Sequence, residues 1–243
     1  MFIRLIEGTG DKTIRFVISF YDALFFMFNA IIQLFNPKSY HQNTFSHLVV
    51  QTYHTSVSVI GYFILSASFF GSVAIGLIIL LATQYNMQFQ VGSIIVTFII
   101  NEFATLFSVL FISFRSNHLL KSKTLNFSDA NLITPSILSG VINMLSLSIL
   151  FSIIMIASAY IFTFFFMGMD FYTYKYLIYK SIELEDIIVL LSKSIVFGFL
   201  VMLIPIYSIQ KIQRQEIPIK FLLIFLFFIE IIFLMLEELI HVL

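Results

Sequence analysis

Residues 137–167 read ILSGVINMLSLSILFSIIMIASAYIFTFFFM, a run without one Asp, Glu, Lys or Arg. A helix needs about 20 apolar residues to cross a hydrocarbon core of roughly 30 Å. A helix also satisfies its own backbone hydrogen bonds, which lipid cannot do for it. The run therefore reads as a membrane-spanning helix, and its surroundings extend that reading. No charged residue lies between Asp129 and Asp170, and none between Lys38 and Glu102. Across 243 residues, 60% are hydrophobic and 11% charged, with a mean hydropathy of +1.02. Soluble chains carry about a quarter charged residues, so a cytosolic globular domain is excluded. Lys and Arg number 13, as do Asp and Glu, which leaves no net field to attract nucleic acid. Cysteine is absent, which removes disulfides, thiol nucleophiles and thiolate metal sites.

The pattern predicts an all-α integral membrane protein with five spans, at about Val57–Thr83, Val91–Phe114, Ile137–Met167, Ile187–Tyr207 and Ile219–Ile240. The connections read as an uncharged turn at Tyr85–Gln90, a polar loop at Arg115–Ser136 containing Pro135, a Tyr-rich loop at Gly168–Asp186 and a basic one at Ser208–Pro218. The whole of 1–243 is expected to form a single domain. Lys and Arg are retained on the cytoplasmic side of a membrane. With the N-terminus inside, that side holds Arg4, Lys12, Arg15, Lys38, Arg115, Lys121, Lys123, Lys211, Arg214 and Lys220, and the other only Lys175 and Lys180. Five spans then place the C-terminus outside, beyond Glu237 and Glu238.

Within residues 11–36, Arg15, Ser19, Asp22, Asn29, Gln33 and Asn36 recur at helical intervals opposite a broad Phe, Leu and Ile face. That pattern predicts an amphipathic helix lying in the interface; the alternative is a slightly polar sixth span. Gly8-Thr9-Gly10-Asp11 and Tyr21-Asp22 superficially match the carboxylate motifs of intramembrane aspartyl proteases. Their order is wrong and both fall outside the five spans, so they read as a turn and a helix cap.

The chain has no G-x-x-x-x-G-K-[ST] loop to cradle nucleotide phosphates, so any ATP is expected on a partner. His41, His47, His54, His118 and His241 lack the spacing that would put two imidazoles on one helix face, and no metal site is expected. Catalytic residues are not expected either. The polar residues inside the spans stand out. Glu102 falls mid-way along the second span, Lys193 in the outer part of the fourth and Glu230 mid-way along the fifth. Insertion scales put Lys or Asp at a helix centre at about +2.5–3.5 kcal/mol, so such groups face a bundle interior, a cavity or a partner charge. Counting rise, Glu102 sits roughly 8 Å deeper than Lys193, a gap that a lysine side chain largely closes. An ion pair that fixes packing and a role beside a substrate cavity fit equally well. Gly71, Gly76 and Gly198 read as sites of close helix approach.

Lys193-Ser194-Ile195-Val196-Phe197-Gly198 resembles the Lys-Ser-x-x-Phe-Gly signature of the MlaE family of ABC-transporter permeases, the membrane subunits of MCE-type phospholipid transport systems. Asn101-Glu102-Phe103-Ala104-Thr105 stands where the family has Arg-Glu-Leu-Gly-Pro, keeping only the Glu. Gln51, Tyr53, Phe69-x-Gly71-x-Val73 and Arg115 extend the resemblance over roughly residues 16–240. The family's Glu-Gln coupling motif between spans two and three has no counterpart in Arg115–Ser136, and the Gly-rich stretch before the last span is reduced to Tyr207–Pro218. The chain thus resembles a divergent member.

The resemblance implies a homodimer in the inner (cytoplasmic) membrane, enclosing a cavity for phospholipid. A separate cytoplasmic ABC ATPase and an extracytoplasmic MCE-domain protein would be its partners. Glu102, Arg115, Lys193, Ser194 and Glu230 are the candidate lipid-cavity or coupling positions. The alternative is a structural membrane subunit of such a complex that has lost ATPase coupling, and a third reading is an intramembrane enzyme.

Overall fold

A computed structural model describes residues 18, 21–40, 42–87, 90–122, 133–211, 226–233 and 235. Every extended element among them is a helix. In chain order they are α1 (Tyr21–Phe35), α2 (Gln42–Thr55), α3 (Ile60–Gln84), α4 (Val91–Val96), α5 (Ala104–Ser122), α6 (Ile133–Met167), α7 (Phe171–Ser181), α8 (Leu184–Lys211) and α9 (226–233). A π-helical segment, Thr97–Phe103, joins α4 to α5.

Four stretches are long and apolar enough to cross a membrane: Thr44–Gln84, Val91–Arg115, Ile133–Met167 and Leu184–Tyr207. They contain the first four expected spans. Of the fifth, only 226–233 and 235 lie among the described residues. Arg15, Ser19 and the Gly8–Asp11 turn lie outside them, whereas the stretch from Tyr21 to Phe35 is helical as expected.

The connections depart from expectation. A 3-10 turn at Val57–Val59 separates α2 from α3, which starts at Ile60, and the apolar helical stretch extends back through α2 to Thr44, 41 residues in all. Ser, Thr and His in α2 hid its helicity from a reading based on apolar length. The loop expected at Arg115–Ser136 is narrower at both ends, because α5 runs on to Ser122 and α6 starts at Ile133. Pro135 falls in the first turn of α6, where its missing N–H costs nothing. The Gly168–Asp186 connection contains α7. Asp170 starts that helix by accepting from the amides of Tyr172 (3.0 Å) and Thr173 (3.3 Å).

Helix ends follow local chemistry. Asn86 adopts φ 55°, and behind α3 the amides of Asn86 and Met87 donate to the carbonyls of Thr83 and Ala82, which satisfies two orphan acceptors. Gly168, at φ 63°, closes α6 in the same left-handed region.

Phe63, fully buried on α3, sits among the rings of Phe107, Phe111 and Phe151, with centroids 5.7, 5.0 and 6.4 Å away. This aromatic knot locks α3, α5 and α6 together. On the other side of α6, α8 makes its closest approach at two glycines. A Cβ on Gly198 would lie 2.6 Å from Val141 Cα and 2.8 Å from the Gly140 carbonyl. That packing brings α8 against the π segment, where the charged residues meet.

Candidate functional site

Lys193 is fully buried on α8, on the side facing the π segment and α9. An ammonium in hydrocarbon must find acceptors for its three donors. The Lys193 ammonium donates to the Asn101 carbonyl at 2.9 Å and to Glu102 Oε1 at 3.0 Å, and Glu230 Oε1 lies 3.5 Å away. The Phe233 ring stands 6.0 Å from the same nitrogen. Three elements therefore converge on one cation, and the pair that rise-counting brings within reach forms. Glu230 was legible as a costly intramembrane residue, but its partner was not, because no spacing rule relates α9 to α8.

The π segment supplies part of this geometry. Widening one helical turn disturbs the regular backbone ladder, and such bulges recur at functional sites. Here it carries both acceptors that Lys193 meets on this element, the Asn101 carbonyl and the Glu102 side chain. The Asn101 amide donates to Asp186 Oδ1 at 2.9 Å, while Asp186 Oδ2 accepts from the Glu183 amide at 2.8 Å and so caps α8. A polar chain thus runs from the start of α8 to the buried lysine. Asn101 and Asp186 were not among the candidate positions; an Asn beside an intramembrane Glu was the signal for the first.

The three ionisable groups differ in access. Lys193 is 0% exposed and Glu230 1%, whereas the Glu102 side chain keeps 19%. Glu102 is thus the member of the cluster that a ligand can reach. Ser194 is buried beside Lys193, and its hydroxyl has no hydrogen-bond partner among the described residues.

Arg115 does not join them. It lies about 20 Å further along the same helix, where its Nε donates to the His54 carbonyl at 3.3 Å and ties α5 to the end of α2. Gln51, one of the positions carrying the family resemblance, accepts from Ser136 at 2.9 Å and ties α2 to α6.

An apolar groove of about 950 Å³ runs between α3 and α6, lined by Leu65, Phe69, Leu77, Phe162 and others. Of the candidate residues only Gly76 lines it, and Gly71 sits under Met155 on the same side. A smaller cavity of about 440 Å³ between α5 and α9 is lined by Phe103, Phe107, Leu110, Leu226 and Phe227. Phe103 follows Glu102 in the π segment and Phe227 precedes Glu230 by less than one turn of α9, but none of Glu102, Lys193 and Glu230 lines this cavity.

The chemistry available is binding and packing: carboxyls and an ammonium inside apolar walls, suited to an amphiphile or to holding helices in register. No curated protein matches the chain. Residues 126–216 match the family model described as Permease MlaE, a stretch that contains α6, α7, α8 and the Lys193–Gly198 signature. Over that stretch the chain is similar to the MlaE permease family, in keeping with the four helices long and apolar enough to cross a membrane.

Proposed function

We propose that this chain is the permease subunit of an ABC-type phospholipid transport system. In this reading it works as a homodimer in the inner membrane and exchanges lipid with an extracytoplasmic MCE partner. A separate cytoplasmic ATPase supplies the energy. The single observation that carries the reading is the Lys193–Glu102–Glu230 cluster, whose lysine belongs to the signature inside the matched stretch. Glu102 is the side chain that meets the headgroup, because it alone of the three keeps access. The apolar cavity beside Phe103 is suited to an acyl chain, and ATP-driven closure acts through the difference in lipid affinity between two states.

The chain is one permease domain with five spans, α9 belonging to the fifth. The N-terminus and α1 face the cytoplasmic side and the C-terminus the outer side. α1 lies in the interface: Tyr21, Phe25, Phe28, Ile32 and Phe35 are exposed, while Phe26 packs on Tyr207 of α8. A tag after Leu243 protected from a cytoplasmic probe is the expected result, and labelling from the cytoplasm would remove the fifth span.

A second reading, a structural subunit without ATPase coupling, is favoured by the engagement of Lys193 with protein groups alone, two hydrogen bonds to the π segment and an ion pair with Glu230. Purification in detergent with candidate partners separates the two. The transporter reading expects an ATPase and an MCE protein to accompany the chain, nucleotide to change the bound phospholipid, and Glu102→Gln to slow lipid movement in reconstituted vesicles. Stable assembly with no nucleotide effect sinks that reading and favours the second.

A further inference from the structure

The charges around Lys193 do not balance. One ammonium meets two carboxyls, Glu102 from the π segment at 3.0 Å and Glu230 from α9 at 3.5 Å. With all three groups ionised the cluster would carry a net negative charge inside apolar walls. Nothing else among the described residues offsets it at this depth. α3, α4 and α6 contain no Asp, Glu, Lys, Arg or His, the chain has none between Glu102 and Arg115, and 226–233 of α9 holds only Glu230. On α8 the neighbouring charges are Asp186 and, at the far end, Lys211. Asp186 stands about 10 Å away by helical rise and is already bonded to the Asn101 side chain and the Glu183 amide. An uncompensated charge is penalised in hydrocarbon, and two carboxylates sharing one site do not both ionise.

Glu230 shows which charge is missing. It is buried, and neither of its oxygens receives a hydrogen bond among the described residues. An ionised carboxylate offers about four lone-pair sites for donors to fill, whereas a carboxylic acid brings a hydrogen of its own. Glu230 also lies within hydrogen-bonding reach of Glu102. Two bare carboxylates have no hydrogen to place between them, so that contact requires a proton.

We propose that the cluster is a proton-binding site: Glu102 and Glu230 share one proton between their carboxyl oxygens and together present a single negative charge to Lys193. As the proton leaves one carboxyl oxygen it bonds to the other, and the cluster stays neutral throughout. Glu102, the accessible member, is where the proton enters and leaves. On the lipid-transport reading, the proton lets Glu102 meet a phosphate as a neutral donor instead of a repelling carboxylate, while the proton site itself forms whether or not lipid moves.

Infrared absorption of the full chain in a maltoside detergent, which has no carbonyl of its own, tests this. At about pH 8 exposed carboxyls are ionised, so a carboxylic-acid C=O band that shifts down in heavy water reports a buried proton. The expected result is such a band in the wild-type chain, lost in Glu230→Gln and equally in Glu102→Gln, because the remaining carboxyl then ionises against Lys193 with no second carboxylate to repel it. Gel filtration checks that each variant keeps the native size. A wild-type chain without the band would have both carboxyls ionised and would overturn the proposal, a result that needs no variant to fold. A band kept at full strength in either variant would put the proton on one residue alone or elsewhere, and would overturn the sharing. Lipid movement plays no part in this measurement, so a missing band removes the proton site and leaves the transport reading to its own test.

Discussion

α6 meets α8 on one side and α3 on another, and glycines mark both crossings. Against α8, Gly140 and Gly198 face backbone: their missing Cβ atoms would strike a carbonyl or a Cα. Against α3, Gly71 and Gly76 face the ends of Met155 and Phe162. Backbone cannot retreat, whereas a Met side chain has three rotatable bonds. The α8 side is also where the buried charges meet, and the α3 side is where the long apolar groove opens. The same residue type thus marks a rigid seam and an adaptable one.

The largest effect is expected on the rigid side. Lys193→Met leaves the buried Glu230 and the partly exposed Glu102 without their cation and should cost about 3–5 kcal/mol. Thermal unfolding in detergent measures it, and adding Glu230→Gln should recover part of the loss. A neutral Lys193→Met would show that the cluster does not hold the seam.

Next comes Gly198→Ala, expected to cost about 1–3 kcal/mol through overpacking against Val141 and Gly140. Gly71→Ala, by contrast, should cost under about 1.5 kcal/mol, because Met155 can swing aside. Equal midpoints for these two variants would abolish the distinction between the seams.

The smallest effect concerns α7, outside both crossings. The Asp170 carboxyl is held below its ordinary 3.8, first by the Thr173 hydroxyl and then by the Thr173 amide. A folded-state value that is depressed means the cap contributes fully above about pH 4. That contribution is lost only as pH falls further, through the folded-state value. Amide-exchange protection at Tyr172 and Thr173 should therefore drop in acid, and Asp170→Ala should lower it at neutral pH and remove the acid dependence.

Much of the cluster was legible in the sequence. Charges stranded in an apolar run are conspicuous because lipid makes them expensive, and rise along a helix places Glu102 and Lys193 within reach. Glu230 as the third partner was not legible, nor was the π segment that carries the Asn101 carbonyl, since both depend on how α8 and α9 pack against it. Arg115 entered the candidate positions only through the family resemblance, and it bonds the His54 carbonyl far along the helix.

Length and hydropathy, by themselves, determined that the chain is helical and crosses a membrane, because backbone polar groups in hydrocarbon leave no other open architecture. Local chemistry added where helices end, at Asn86 and Gly168. Only the tertiary structure decided which glycines touch backbone and which carboxyls share Lys193. Those outcomes depend on contacts between elements distant in sequence, for which a periodic pattern along one helix contains no information.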